Sequence, residues 1–341
     1  MVLSTVKLTI LLTTFCHSVV HAAEPLDIPK NVPISNIISS ANEQLAAGNP
    51  QDALAHFDVA ISRDPQNYLT IFKRGAAYLS LGKPLQAQHD FDRVLSIKPD
   101  FEGALVQRAK LKSKQGQWKK AKEDYAAAGV KNGREIEELE EAESAVKAAL
   151  DSSKSGDWDS CINQASKAIA LASVAADLRD LRARCRLERG DAIEAISDLQ
   201  HLSQLAPNSI EPYLKSSASL FYSLGDTEKG LSQIRKCLQS DPDSKPCRQL
   251  MKREKSLQKR LDEISDNMEK RKYAGAVKLL VSSAKERGIL QEVMDDVDEF
   301  MEAGYIHPKS PQILRENLLE TICRAYIEVC HLLYSDCSYL D

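Results

Sequence analysis

Six positions in this chain recur every 34 residues. Ala41, Gly75 and Ala109 form one set, Gly48, Gly82 and Gly116 a second, and Ala53, Ala87 and Ala121 a third. Phe57, Phe91 and Tyr125 follow, then Ala60, Val94 and Ala128, then Pro65 and Pro99 with Gly133 in the third place. The clearest copy, Tyr68 to Phe101, predicts two helices. The first, about Leu69 to Leu81, carries Phe72, Gly75, Tyr78 and Leu79 at helical spacing. Gly82 ends it, because glycine takes a left-handed conformation at little cost. Pro84 suits the first turn of the second helix, which carries Ala87, Phe91, Val94 and Leu95 on one face before Pro99 stops it. Such a pair cannot bury its apolar face alone and needs copies of itself on either side.

The period and the residue pattern are those of the tetratricopeptide repeat (TPR), and three in-phase copies make the pattern specific. Residues 34–67, 68–101 and 102–135 are repeats one to three. The phase then breaks at a long acidic helix from Ile136 to Leu150. Repeat four has Gly156, Trp158, Cys161, Ala165 and Ala168, and repeat five has Ala183, Gly190, Ala195, Leu199 and Pro207. Repeat six has Ala218, Gly225, Gly230, Ile234, Cys237 and Pro242. A second long helix, about Cys247 to Lys270, leads to helices at Tyr273 to Glu286, Ile289 to Ala303 and Pro311 to Glu328. The expected fold is all-α: a TPR superhelical solenoid of about seven helix-turn-helix repeats. It is divided into blocks 34–135, 136–246 and an incomplete 247–329, joined by the two long helices. Residues 330–341 lose the pattern and read as an aberrant tail.

Residues 1–23 differ from the rest. Lys7 is their only Lys, Arg, Asp or Glu, Leu8 to Val20 is apolar or small and neutral apart from His17, and small residues at Ala22 and Ala23 suit cleavage. This reads as a secretory signal peptide, too short in its apolar run for the roughly 20 residues of a membrane span. Residues 24–33, with three prolines, read as an extended leader. The mature chain is expected in an oxidising compartment. The remaining composition, 43% hydrophobic and 28% charged with a net charge of −4, gives no basic surplus to suggest nucleic acid or an anionic membrane as partner.

Motifs for chemistry are missing. The eight cysteines include no Cys-x-x-Cys and no zinc spacing, and there is no glycine-rich phosphate loop or nucleophile elbow. Asp295-Asp296 and the glutamates from Glu137 to Glu141 read as solvated helix faces. The expectation is a protein that is not an enzyme, with no catalytic residues, cofactor or metal. Cys237 and Cys247 end successive helices across a stiff loop with Pro242 and Pro246, which brings them within reach of a disulfide; the alternative is two reduced small residues at helix ends. Cys161 and Cys185 stand at small-residue packing positions and are expected to be reduced and buried.

In a TPR array the first helix of each repeat lines the concave face. The register puts Ile38, Asn42 and Leu45 there from repeat one, Leu69, Phe72, Ala76 and Leu79 from repeat two, and Val106 with Lys110 from repeat three. One TPR class grips a C-terminal carboxylate with Lys and Asn at these places. Asn42 and Lys73 match that set, but Ile38 replaces the leading Lys, and Gly103 and Gln107 replace basic residues. A mostly apolar face suits extended hydrophobic segments of unfolded chains instead.

With the signal peptide and the interrupted TPR blocks, three segments resemble a known family: Ala176 to Leu199, Leu220 to Asp226 (LFYSLGD) and Ile234 to Cys247 (IRKCLQSDPDSKPC). It is the endoplasmic-reticulum-lumenal TPR co-chaperones of the inhibitor-of-protein-kinase DnaJ type, in a fungal-like form. The resemblance implies a TPR block that holds misfolded clients and a partnership with the lumenal Hsp70, BiP, in folding and the unfolded protein response. It also implies the Cys237–Cys247 disulfide. A J domain needs His-Pro-Asp, and these 341 residues contain only His307-Pro308-Lys309. The expectation is therefore a truncated form that holds clients without activating BiP. The alternative is a TPR scaffold for one folded partner in the secretory pathway.

Overall fold

A computed structural model describes residues 28–283 and 287–337, with the backbone alone for 332–337. The signal-peptide reading and the start of the leader lie outside the described residues. Repeat one is α1 (Ile34–Ala46) and α2 (Pro50–Arg63), repeat two α3 (Tyr68–Ser80) and α4 (Pro84–Ile97), repeat three α5 (Glu102–Lys114) and α6 (Trp118–Ala127). The 22-residue α7 (Arg134–Ser155) packs on α8 (Trp158–Leu171), and α9 (Ala176–Arg189) on α10 (Ala192–Leu205). α11 (Glu211–Ala218) runs into a π-helical turn, Ser219–Ser223, before α12 (Thr227–Ser240). The 25-residue α13 (Lys245–Glu269), α14 (Tyr273–Leu280), α15 (Ile289–Glu302) and α16 (Ile313–Cys337) follow. No strand occurs among the described residues, and the fold is an all-α solenoid of TPR type. The chain forms two compact units, one ending at Arg108 and one starting at Ala109.

Local chemistry sets the helix ends. Gly48 and Gly82 reverse the chain at φ +81° and +67°, a region closed to most side chains. Pro50 and Pro84 open the second helices, where no N–H is needed. The Asn67 side chain caps α3 by accepting from the Thr70 amide at 3.1 Å. The end of the leader is held as well: the Arg63 guanidinium donates to the carbonyls of Ile28, Pro29 and Val32 at 2.7, 3.2 and 2.8 Å.

Packing follows the 34-residue register. In the first unit, Ala41, Ala53, Phe57, Ala87 and Phe91 are all fully buried. Gly75 is where it is because a Cβ there would stand 2.7 Å from the Phe91 ring. In the second unit Gly230 repeats the device, a Cβ there meeting Phe221 at 2.8 Å. Two sequence expectations need correction. α14 stops at Leu280 instead of reaching Glu286, because Val281 is already extended. α16 runs past Val329 to Cys337, since that stretch holds no Gly or Pro to break a helix, so only residues 338–341 of the expected tail remain, outside the described residues.

Cys237 of α12 and Cys247 of α13 stand at disulfide distance, their Cα atoms 6.3 Å apart. So do Cys161 of α8 and Cys185 of α9, again with Cα atoms 6.3 Å apart. The expectation of burial for the latter pair holds, but the two cysteines are not separate packing residues as the sequence suggested: the helices approach closely enough for the sulfurs to stand at bonding distance. Both pairs join the second helix of one repeat to the first helix of the next. Closing loops of 24 and 10 residues is worth about 3 kcal/mol each in the chain-entropy picture.

Two outcomes are expected. Peptide mapping without reductant recovers Cys161–Cys185 and Cys237–Cys247 as linked pairs, and each Cys→Ser substitution lowers unfolding free energy by about 2–4 kcal/mol. Gly75→Ala, a change that gains roughly 1 kcal/mol in an open helix, here costs about 1–3 kcal/mol in denaturant titration, because Phe91 has nowhere to go.

Candidate functional site

The eight predicted face residues all lie in the first unit, and none is buried. Leu69 is 47% exposed and Ala76 is exposed, while Ile38, Asn42, Leu45, Phe72, Leu79 and Val106 are half-buried. α1, α3 and α5 therefore present a row of apolar atoms to solvent at the first-helix positions of three successive repeats. Phe72 differs from the rest in what it touches. Its ring meets Phe101 edge-on at 5.1 Å and Phe91 at 5.7 Å, and Tyr68 meets Phe101 at 5.2 Å. Gly103 leaves room for it, since a Cβ there would lie 3.2 Å from the Phe72 ring. Phe72 thus spends one edge on the joint between repeats and shows only the other.

Beside this face runs an ion-pair ladder that the sequence reading passed over. The Arg74 guanidinium donates twice to Asp90, Nε at 2.8 Å and Nη2 at 2.6 Å, and once to Asp58 at 2.8 Å. Each partner is 16 residues away in sequence. Arg108 bonds Asp92 at the same offset, and in the second unit Arg182 bonds Asp198 and Ser166 likewise. The Asp90 carboxylate is only 1% exposed. Its hydrogen bonds push the Arg74 pKa upward against the opposing effect of burial. The signal was present in sequence: Asp58 and Asp92, Arg74 and Arg108, and Asp90 and Asp124 each repeat at 34.

Among the described residues no group of His, Cys, Asp or Glu could hold a metal ion, and no helix is long and apolar enough to cross a membrane. The face offers hydrophobic contact, with the Asn42 amide and the Lys73 ammonium as polar groups at its register positions.

Residues 70–101 match the tetratricopeptide-repeat family. The fold as a whole is similar to the crystal structure of the P58(IPK) TPR domain, with a TM-score of 0.70 and 28% identity across 86% of this chain and 79% of that one. The fold is that of a TPR domain. Its sequence is 45% identical, over 91% of its length, to the tetratricopeptide repeat and J domain-containing co-chaperone DNJ1 of Fusarium oxysporum f. sp. lycopersici, and covers 60% of that protein. It is 34% identical, over 72% of its length, to DnaJ homolog subfamily C member 3 of Bos taurus, and covers 51% of it. The chain is a homologue of these TPR and J domain-containing co-chaperones and spans between half and three-fifths of their length.

Arg74→Ala should cost about 3–5 kcal/mol in chemical denaturation, because it strands the buried Asp90 carboxylate. Replacing both partners, Arg74→Met with Asp90→Leu, should recover most of that loss.

Proposed function

We propose that the first unit holds unfolded polypeptides for a co-chaperone of the endoplasmic reticulum lumen. The observation that carries the reading is the partly exposed apolar row of Ile38, Leu45, Leu69, Phe72, Ala76, Leu79 and Val106 on three successive first helices, with Asn42 among them. Such a row matches the side chains that a folded protein hides and an unfolded one shows. The co-chaperone names of the homologues support it. The signal-peptide reading and the two cysteine pairs at disulfide distance support the lumen as its place. Handing clients to the lumenal Hsp70 is assigned to none of these 341 residues, which contain no His-Pro-Asp.

One observation favours a second reading, a scaffold for one folded partner. Around a cavity of about 440 Å³ in the second unit, the first-helix positions of repeats five and six carry charges. Asp180 pairs with Arg184 at 3.1 Å and Glu211 with Lys215 at 2.6 Å. That lining suits a polar, structured surface. We further propose the division of the array into blocks at residues 135 and 246, where the register breaks.

The purified chain should suppress aggregation of a chemically unfolded client. Leu69→Glu and Leu79→Glu should weaken that suppression several-fold while circular dichroism and melting stay at wild-type values. Phe72→Glu is the poorer probe, since it also opens the aromatic joint to Phe101. Full activity in both leucine variants would remove the face from the account, and a single stoichiometric partner with no general client binding would favour the scaffold.

A further inference from the structure

Glu254 is a buried acid in a place that has no use for its charge. It lies on α13 in a run of exposed basic and acidic neighbours, yet its own side chain is fully buried. Its Oε1 is 2.8 Å from the Ser217 hydroxyl on α11. Its Oε2 is buried with no hydrogen-bond partner. The Ser217 hydroxyl is also 2.8 Å from the carbonyl of Gly230 on α12. A hydroxyl has one hydrogen and a carbonyl can only accept. When Ser217 donates to Gly230, its lone pairs face Glu254, and the contact is complete only if the carboxyl carries a proton and donates. An ionised Glu254 would compete for that one hydrogen and leave Oε2 charged, buried and unpaired.

The surrounding groups do not supply a counter-charge. From the π-helical turn, Tyr222 directs its hydroxyl to Asp296 of α15 at 3.1 Å. Arg253, the neighbour of Glu254 on α13, is committed to Glu299 at 2.8 Å and lies 3.6 Å from Asp296. α11 meets the carboxyl with Ser217, which in turn reaches the Gly230 carbonyl of α12, and both groups are uncharged. We propose that Glu254 is a proton lock: a neutral carboxylic acid that fastens α11, α12 and α13 together and loosens that junction when it ionises. Burial holds its pKa up at about 8.

The sign follows from the two states. An unfolded Glu releases its proton near the ordinary value of 4.5, while the folded one keeps it to about 8. Between those values the folded chain holds more protons, so stability falls as pH rises across the window and levels off above it. The junction concerned joins α11, α12 and the first half of α13 through Ser217, the Gly230 carbonyl and Glu254, so the loosening falls on those three helices of the second unit.

The test compares the full wild-type chain with Glu254→Gln, which keeps the shape and cannot ionise. Thermal midpoints and amide hydrogen exchange are followed from about pH 6 to about pH 9, with exchange corrected for its intrinsic rate. The wild type should lose protection by up to about a hundredfold in α11, α12 and the first half of α13 across that range, and the Gln variant should keep it. Identical pH curves for the two proteins, or a wild-type junction indifferent to pH, would overturn the lock. Should the variant not fold, the infrared band of a buried protonated carboxyl in the wild type near neutral pH decides instead: its absence rejects the proposal and its presence with loss above about pH 8 supports it.

Discussion

The Phe91 ring lies against Gly75 with no room for a methyl group between them. That contact is the condition for everything else in the first unit. It fixes how closely α3 and α4 approach, and so the angle at which each pair offers its apolar side to the next. Fully buried Ala41, Ala53 and Ala87 extend the same condition along the stack. Backbones this close leave little apolar area per helix, which is why a chain with only 6% aromatic residues still builds a core. The few large rings, Phe57, Phe91 and Tyr125, fall once per repeat at the same place.

Close packing fixes distance but not register along the helix axes. The Arg74–Asp90 pair supplies that. A planar guanidinium meeting a carboxylate through two parallel hydrogen bonds tolerates little sliding, and a third bond to Asp58 reaches back to the preceding repeat. Burial makes the pair costly to break more than it makes it stabilising to form. The ladder therefore specifies both kinds of neighbour: a helix slipped by one turn within the pair would bury Asp90 without Arg74, and a repeat slipped against the one before it would lose the Arg74–Asp58 bond.

Much of this was legible in sequence. The helix pairs, their glycine turns and the two over-long helices follow from the 34-residue period and its breaks. The charges of the ladder repeat at the same period, but Asp and Arg on an amphipathic helix ordinarily face water, and only the fold shows Asp90 turned inward. The Cys161–Cys185 approach was hidden for a similar reason, since a cysteine at a small-residue position packs like alanine whether or not it has a partner. The π-helical turn at Ser219–Ser223 has no signature distinct from α-helix. Glu254 was masked by the charges of KREKSLQKR, although Leu250, Met251 and Leu257 at helical spacing place it on the buried stripe of α13.

The candidate face draws on these constraints in one further way. Because the aromatic joint and the ladder hold adjacent first helices from within and beside the face, Leu69, Ala76 and Leu79 are not needed to hold the stack together. Side chains that carry no structural duty can remain partly exposed at little cost in stability, which leaves this row free for the client binding proposed above. Phe72 marks the limit of this separation. It belongs to the face by register and to the joint by contact, so a client bound as proposed would meet a ring already anchored by Phe101 and Phe91, a pre-ordered surface that loses little side-chain entropy when it is covered.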